Sequence, residues 1–133
     1  MWDSAFRAML PWLLVGLGGA MGSMLRYTTG RYLAGYPWAK EFPVGTFLVN
    51  IVGSFVLGVL MVLCIERSDP PRREWQLLLG TGFCGGLTTF STFQWELFER
   101  VREGRIGLAF LYFASSLLAG FVAVVLAVRW LDR

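Results

Sequence analysis

Four stretches of the chain, residues 8–25, 42–65, 75–95 and 106–128, contain no charged residue over 18, 24, 21 and 23 positions respectively. An α-helix rises 1.5 Å per residue, so each stretch approaches or exceeds the roughly 20 residues needed to cross about 30 Å of hydrocarbon. Only 16% of the chain is charged, against roughly 25% in a soluble domain. All of that charge is confined to the ends and connections. The six tryptophans, Trp2, Trp12, Trp38, Trp75, Trp95 and Trp130, lie at or near the ends of the four stretches, where indole rings settle at headgroup level. The expected fold is an all-α integral membrane protein. Residues 1–133 form one domain with four spans, at about 10–33, 43–65, 75–103 and 106–130.

The same inventory excludes several function classes. The net charge of +3 is scattered through connections instead of forming a basic stripe, so no nucleic-acid partner is expected. Histidine is absent, which removes imidazole metal and acid–base chemistry. Cys64 and Cys84 fall inside charge-free stretches and read as small buried hydrophobes. No nucleophile–base pair, paired carboxylate site or metal-ligand cluster occurs, so the chain is not an enzyme. Gly80, Gly82 and Gly85 match G-x-G-x-x-G literally. No strand or βαβ unit accompanies them, and a dinucleotide would have to lie in hydrocarbon. The first stretch follows Arg7 but exceeds a signal peptide's apolar core; it is expected to be a retained span.

Helix punctuation agrees with the spans. Pro11 suits the first turn of a helix and Pro43 marks the start of the second span. Ser68, Asp69, Pro70 and Pro71 form a stop between the second and third. The charges of 96–105 can extend a helix beyond the membrane. With four spans, Arg7, Arg67, Arg72, Arg73, Arg129 and Arg133 share one side, six in number, against five opposite: Arg31, Lys40, Arg100, Arg102 and Arg105, or six with Arg26. The positive-inside rule then gives no preferred orientation. Such a tie predicts insertion both ways up and permits a dimer of oppositely oriented copies. The alternative is that length or neighbouring proteins impose one orientation.

Several polar and small residues lie inside the spans. Gly18 and Gly22 are four apart, the spacing that lets helix backbones approach closely. Arg26 follows one turn later; it either snorkels to the interface or raises anion concentration at a pore mouth. In the second span Thr46, Asn50, Gly53 and Ser54 share a face. Asn50 reads as interhelical glue or as an anion ligand through its NH₂. The third span holds four glycines and a run of Thr and Ser hydroxyls between Gly80 and Phe93, poor material for a continuous helix. A break near 85–89 is expected. Carbonyls freed there must be buried by protein or must coordinate an ion. In an antiparallel dimer two such breaks can meet on the twofold axis and form a carbonyl cage suited to Na⁺. Phe90 and Phe93 share a face; they pack a core or turn their positive ring edges toward an anion. Tyr112 and Ser116 put hydroxyls on one face of the fourth span, with back-bonding of Ser116 to its own helix as the alternative.

The strings Gly18-Gly19-Ala20-Met21-Gly22 with Arg26-Tyr27, Gly45-Thr46-Phe47-Leu48-Val49-Asn50 with Gly53-Ser54-Phe55, and Gly82-Phe83-Cys84-Gly85-Gly86-Leu87-Thr88-Thr89-Phe90-Ser91-Thr92-Phe93 strongly resemble the bacterial Fluc (CrcB) fluoride channels over nearly the whole chain. The resemblance implies a dual-topology antiparallel homodimer in the bacterial inner membrane, a multi-pass protein exporting fluoride passively and excluding chloride. Carried over by motif, Asn50, Phe90 and Phe93 line the fluoride path and Tyr112 with Ser116 continue a hydroxyl track. Arg26 sits by an aqueous vestibule. Gly85 and Thr88 give main-chain oxygens to a structural Na⁺ at the dimer axis. Glu96 matches a family carboxylate of open role, and Gly120 departs from the pattern where a further track hydroxyl is expected. Two rivals of other classes are a small dual-topology multidrug or cation exporter, which needs a carboxylate inside a span, and a helper subunit of a larger membrane complex.

Overall fold

The computed structural model describes residues 2–133; Met1 and the side chains of Trp2, Asp3 and Lys40 lie outside it, and with them the interfacial role expected of Trp2 and the charge expected of Lys40. Helix α1 spans Trp2–Leu33, α2 is the short Pro37–Glu41, and α3 runs Val44–Glu66 with Val62–Glu66 widened to π geometry. Helix α4 covers residues 73–87 and is itself π-wound over Gln76–Cys84. Helices α5 and α6 span Phe90–Arg102 and Ile106–Leu131. The described residues are all-helical, without strands. Pro11, expected in a first turn, lies inside α1, because the helix already begins among the polar residues ahead of the apolar stretch.

Three helices are long and apolar enough to cross a membrane: Ser4–Leu33, Val44–Glu66 and Ile106–Leu131. The remaining charge-free stretch is shared between α4 and α5. Thr88 and Thr89 between them are extended, at φ −81°, ψ 155° and φ −151°, ψ 119°. Thr89 then starts α5 as its cap, its side-chain oxygen accepting the Thr92 N–H at 3.2 Å, as a Thr before a helical run should.

Glycine decides how α4 is held. A Cβ on Gly18 would lie 1.9 Å from the Leu78 carbonyl oxygen, one on Gly22 2.1 Å from that of Phe83, and one on Gly86 2.4 Å from that of Gly19. These distances are backbone against backbone, so α1 and α4 meet without intervening side chains. Helices α3 and α6 also approach closely at Gly58, where a Cβ would be 2.9 Å from the Ala127 side chain. Arg67 donates to the Leu131 carbonyl and pairs with Asp132, while Arg105 pairs with Glu41. The first set ties the end of α3 to the end of α6, the second ties the start of α6 to the connection before α3.

The single chain leaves much apolar surface uncovered. Its accessible area is 9117 Å², against about 7,000 Å² for a soluble monomer of this mass. Trp12, Met24, Phe110, Leu118 and Phe121 are all mostly exposed. Surface of this kind is stable only against lipid or another protein.

Candidate ion pathway

Asn50 projects from α3 onto the junction of α4 and α5. Its Oδ1 accepts the Thr89 N–H at 2.8 Å and its Nδ2 donates to the Thr89 carbonyl at 3.2 Å. One carboxamide thus satisfies both main-chain groups of a residue that neither flanking helix can pair. Of the two readings of Asn50, the glue is visible, and the second Nδ2 proton remains available to a further acceptor.

Around this junction lies an open cavity of about 640 Å³, lined among others by Asn50, Thr88, Thr89, Phe90, Phe93 and Ser116. Gly85 and Gly120 also border it, and among the described residues no charged side chain does. Phe93 is buried and Phe90 is 70% exposed, with ring centroids 6.2 Å apart at 41°. Phe93 is held by edge-to-face contact with Tyr112 at 5.0 Å and by stacking on Phe113. Ser116 Oγ is buried with no partner among the described residues, so the back-bond expected as its alternative is not made. Ser54 does back-bond, donating to the Asn50 carbonyl at 2.7 Å. A Cβ on Gly120 would stand 3.6 Å from Ser54 Oγ, an ordinary contact, so a small side chain at this position would touch that hydroxyl.

A second cavity of about 320 Å³ lies on the other side of Thr89, bordered by Arg26, Thr46, Thr92 and Glu96. Thr89 lines both cavities and forms their common wall. Tyr112 is fully buried, and its hydroxyl donates to Glu96 Oε2 at 2.7 Å while Thr46 donates to Oε1 at 2.7 Å. The Tyr112 hydroxyl therefore turns toward the carboxylate and away from Ser116, although the two residues share a helix. Glu96, of open role in the sequence, is where α3, α5 and α6 meet.

The end of α4 is polarised. Thr88 N–H donates to the Cys84 carbonyl at 3.0 Å and Thr89 N–H goes to Asn50, so the Gly85 carbonyl lacks its usual donor four residues on. Gly85 is exposed with nothing within 4 Å of a built Cβ. The Gly86 carbonyl accepts from Arg26 Nε at 3.0 Å. Carbonyl oxygens thus gather at the C-terminus of α4, and the first N–H groups of α5 open toward the same junction from the opposite direction. The two dipole ends give it both a cation-favouring and an anion-favouring side.

A sequence profile of the family described as CrcB-like protein, Camphor Resistance (CrcB), matches residues 13–128. The chain belongs to the CrcB family. Relatives of this CrcB protein include one from Pyrococcus furiosus, 47% identical over 85% of this chain and 89% of its own, and one from Pyrococcus horikoshii, 44% identical over the same shares. Both are named fluoride-specific ion channel FluC. A relative from Rhodococcus jostii, named fluoride-specific ion channel FluC 2, is 44% identical over 88% of this chain and 95% of its own. The resemblance read from three short strings thus extends over nearly the whole CrcB chain.

Sequence reasoning did not single out Thr89, the residue that separates the cavities, or the pairing of Thr46 and Tyr112 on Glu96. For Thr89 a signal existed: a threonine immediately ahead of a helical run is a start mark. For the Glu96 cluster the partners lie 50 and 16 residues away, and no local pattern joins them.

Proposed function

We propose that two copies of this chain, inserted in opposite orientations, form a channel that lets fluoride leave the cell passively. The observation that carries the reading is the larger cavity: its lining offers a carboxamide proton, an unpartnered hydroxyl and phenyl rings, and no fixed charge. Fluoride is small and tightly hydrated, so a pore must replace its water with several donors yet release it again. Asn50 and Ser116 supply hydrogen bonds. The edges of Phe90 and Phe93 supply softer attraction that cannot trap the ion. Arg26 and Glu96 border the smaller cavity, whose mouth serves as the vestibule. The names of the relatives supply fluoride as the ion.

Four crossings suit this reading. Arg67 meets the end of α6 and Arg105 meets the connection before α3, so α4 and α5 together carry the chain from one end of the bundle to the other. The charge tie between the two ends favours dual insertion. The exposed faces of Phe90, Phe121 and Gly85 suit a partner copy. Within that dimer the main-chain oxygens of Gly85 and Thr88 would hold Na⁺. The fit rests on chemistry: a hard cation takes oxygen ligands, and the end of α4 has carbonyls without intrahelical donors. When bound, Na⁺ would offset the negative end of the α4 dipole.

The deciding experiment places the purified protein in liposomes with a fluoride electrode outside and chloride efflux followed in parallel. Fluoride efflux far above that of empty vesicles, with chloride retained, is expected. Vesicles that hold fluoride as well as empty ones refute the channel, and proton-driven transport of a cationic drug in its place establishes the exporter.

A further inference from the structure

A guanidinium within a membrane helix is stable only where it meets partners. Arg26 finds one on α4. Its Nε donates to the Gly86 carbonyl at 3.0 Å, and Ser23 Oγ donates to the same oxygen at 3.5 Å. Gly86 is already pressed against α1, since a Cβ there would stand 2.4 Å from the Gly19 carbonyl oxygen. The bonded carbonyl belongs to the last turn of α4, where acceptors lack intrahelical donors and the dipole favours a cation. Three residues later the chain reaches Thr89, the wall between the two cavities.

We propose that Arg26 is a positioning residue: through the Gly86 carbonyl it fixes the end of α4 and hence the Thr89 partition, and it does not act as a free cation gathering anions at the mouth. Only the flux part of the test below rests on the channel reading. The atom that makes the bond is Nε, attached to Cδ. Glutamine carries Nε2 on Cδ, so it places an N–H donor at the same position without charge. Lysine has a methylene there, with its charge one bond farther out. Arg26→Gln and Arg26→Lys therefore separate the donor from the charge.

Fluoride efflux from liposomes is measured for wild type and both variants at low and high ionic strength, alongside amide hydrogen exchange of residues 84–92 in purified protein. Arg26→Gln, which keeps a neutral N–H donor at that position, should lie closer to wild type than Arg26→Lys in both assays. Arg26→Lys should lose about tenfold in efflux at either ionic strength, with exchange after Gly86 faster by a similar factor, as expected for loss of one charge-assisted bond. A cation at the mouth predicts the reverse: Lys near wild type, and a Gln deficit that shrinks as the Debye length falls from about 30 Å at 0.01 M to about 8 Å at 0.15 M. That order overturns the proposal, as do equal efflux in all three proteins, unaltered exchange in Arg26→Lys, or failure of both variants to fold. If wild type passes no fluoride, the channel reading fails while the exchange comparison still decides the role of Arg26.

Discussion

Replacing Asn50 by leucine keeps the volume of the side chain and removes both of its hydrogen bonds to Thr89. The structure sets the size of the loss. Thr89 N–H loses an acceptor at 2.8 Å and Thr89 C=O loses a donor at 3.2 Å. Each polar group left unmet costs about 1–3 kcal/mol when buried. Because Asn50 and Thr89 border the larger cavity, water can reach them in part, and the lower end applies: about 2–4 kcal/mol in total. At about 3–5 °C per kcal/mol, between the values for smaller and larger domains, the melting midpoint should fall by about 6–20 °C. Thermal unfolding of the purified protein, followed by circular dichroism, measures this directly. Hydrogen exchange at Thr89 should accelerate with it, and fluoride efflux should be lost. A midpoint within about 2 °C of wild type would refute the assignment of Asn50 to the α4–α5 junction. Lost efflux at unchanged stability would assign the carboxamide to the ion alone.

Gly22→Ala forces a methyl group to 2.1 Å from the Phe83 carbonyl oxygen and should cost about 2–3 kcal/mol in thermal melts. Gly16→Ala, with nothing within 4 Å, should be neutral or stabilising by up to about 1 kcal/mol. Phe90→Ile should lower fluoride efflux by about tenfold, the worth of one aromatic interaction, with the dimer intact by crosslinking; undiminished efflux removes the ring-edge mechanism. Lysines added to the connections on one side should impose a single orientation and abolish efflux unless an oppositely biased copy is co-expressed, and full activity of a verified single-orientation protein would contradict the antiparallel dimer.

Much of the helical framework is written locally. A charge-free run of twenty-odd residues has few options other than a helix in lipid, because only there are its backbone groups satisfied within the segment. Hence α1, α3 and α6 follow from 8–25, 42–65 and 106–128. The spacing of Gly18 and Gly22 likewise announces a close backbone approach, since nothing but a missing side chain permits it. The family could be read from short strings for a similar reason: each packs several constrained residues into one or two turns.

The partners of the polar residues were decided elsewhere. Asn50 could be read from sequence as glue or as ligand, and only the crossing of α3 over residues 88–89 shows that Thr89's main chain takes one of its protons. Tyr112 and Ser116 share a helical face, yet one hydroxyl turns to Glu96 and the other meets no partner among the described residues, because α5 reaches only the first. Arg26 reads as a cation near a helix end until α4 brings the Gly86 carbonyl to its Nε. The sequence by itself determined which segments are helical and which of them seek lipid, since those properties depend on neighbours within a turn or two. The tertiary structure alone decided which donor meets which acceptor, because that depends on where helices distant in the chain cross, to within the length of a hydrogen bond.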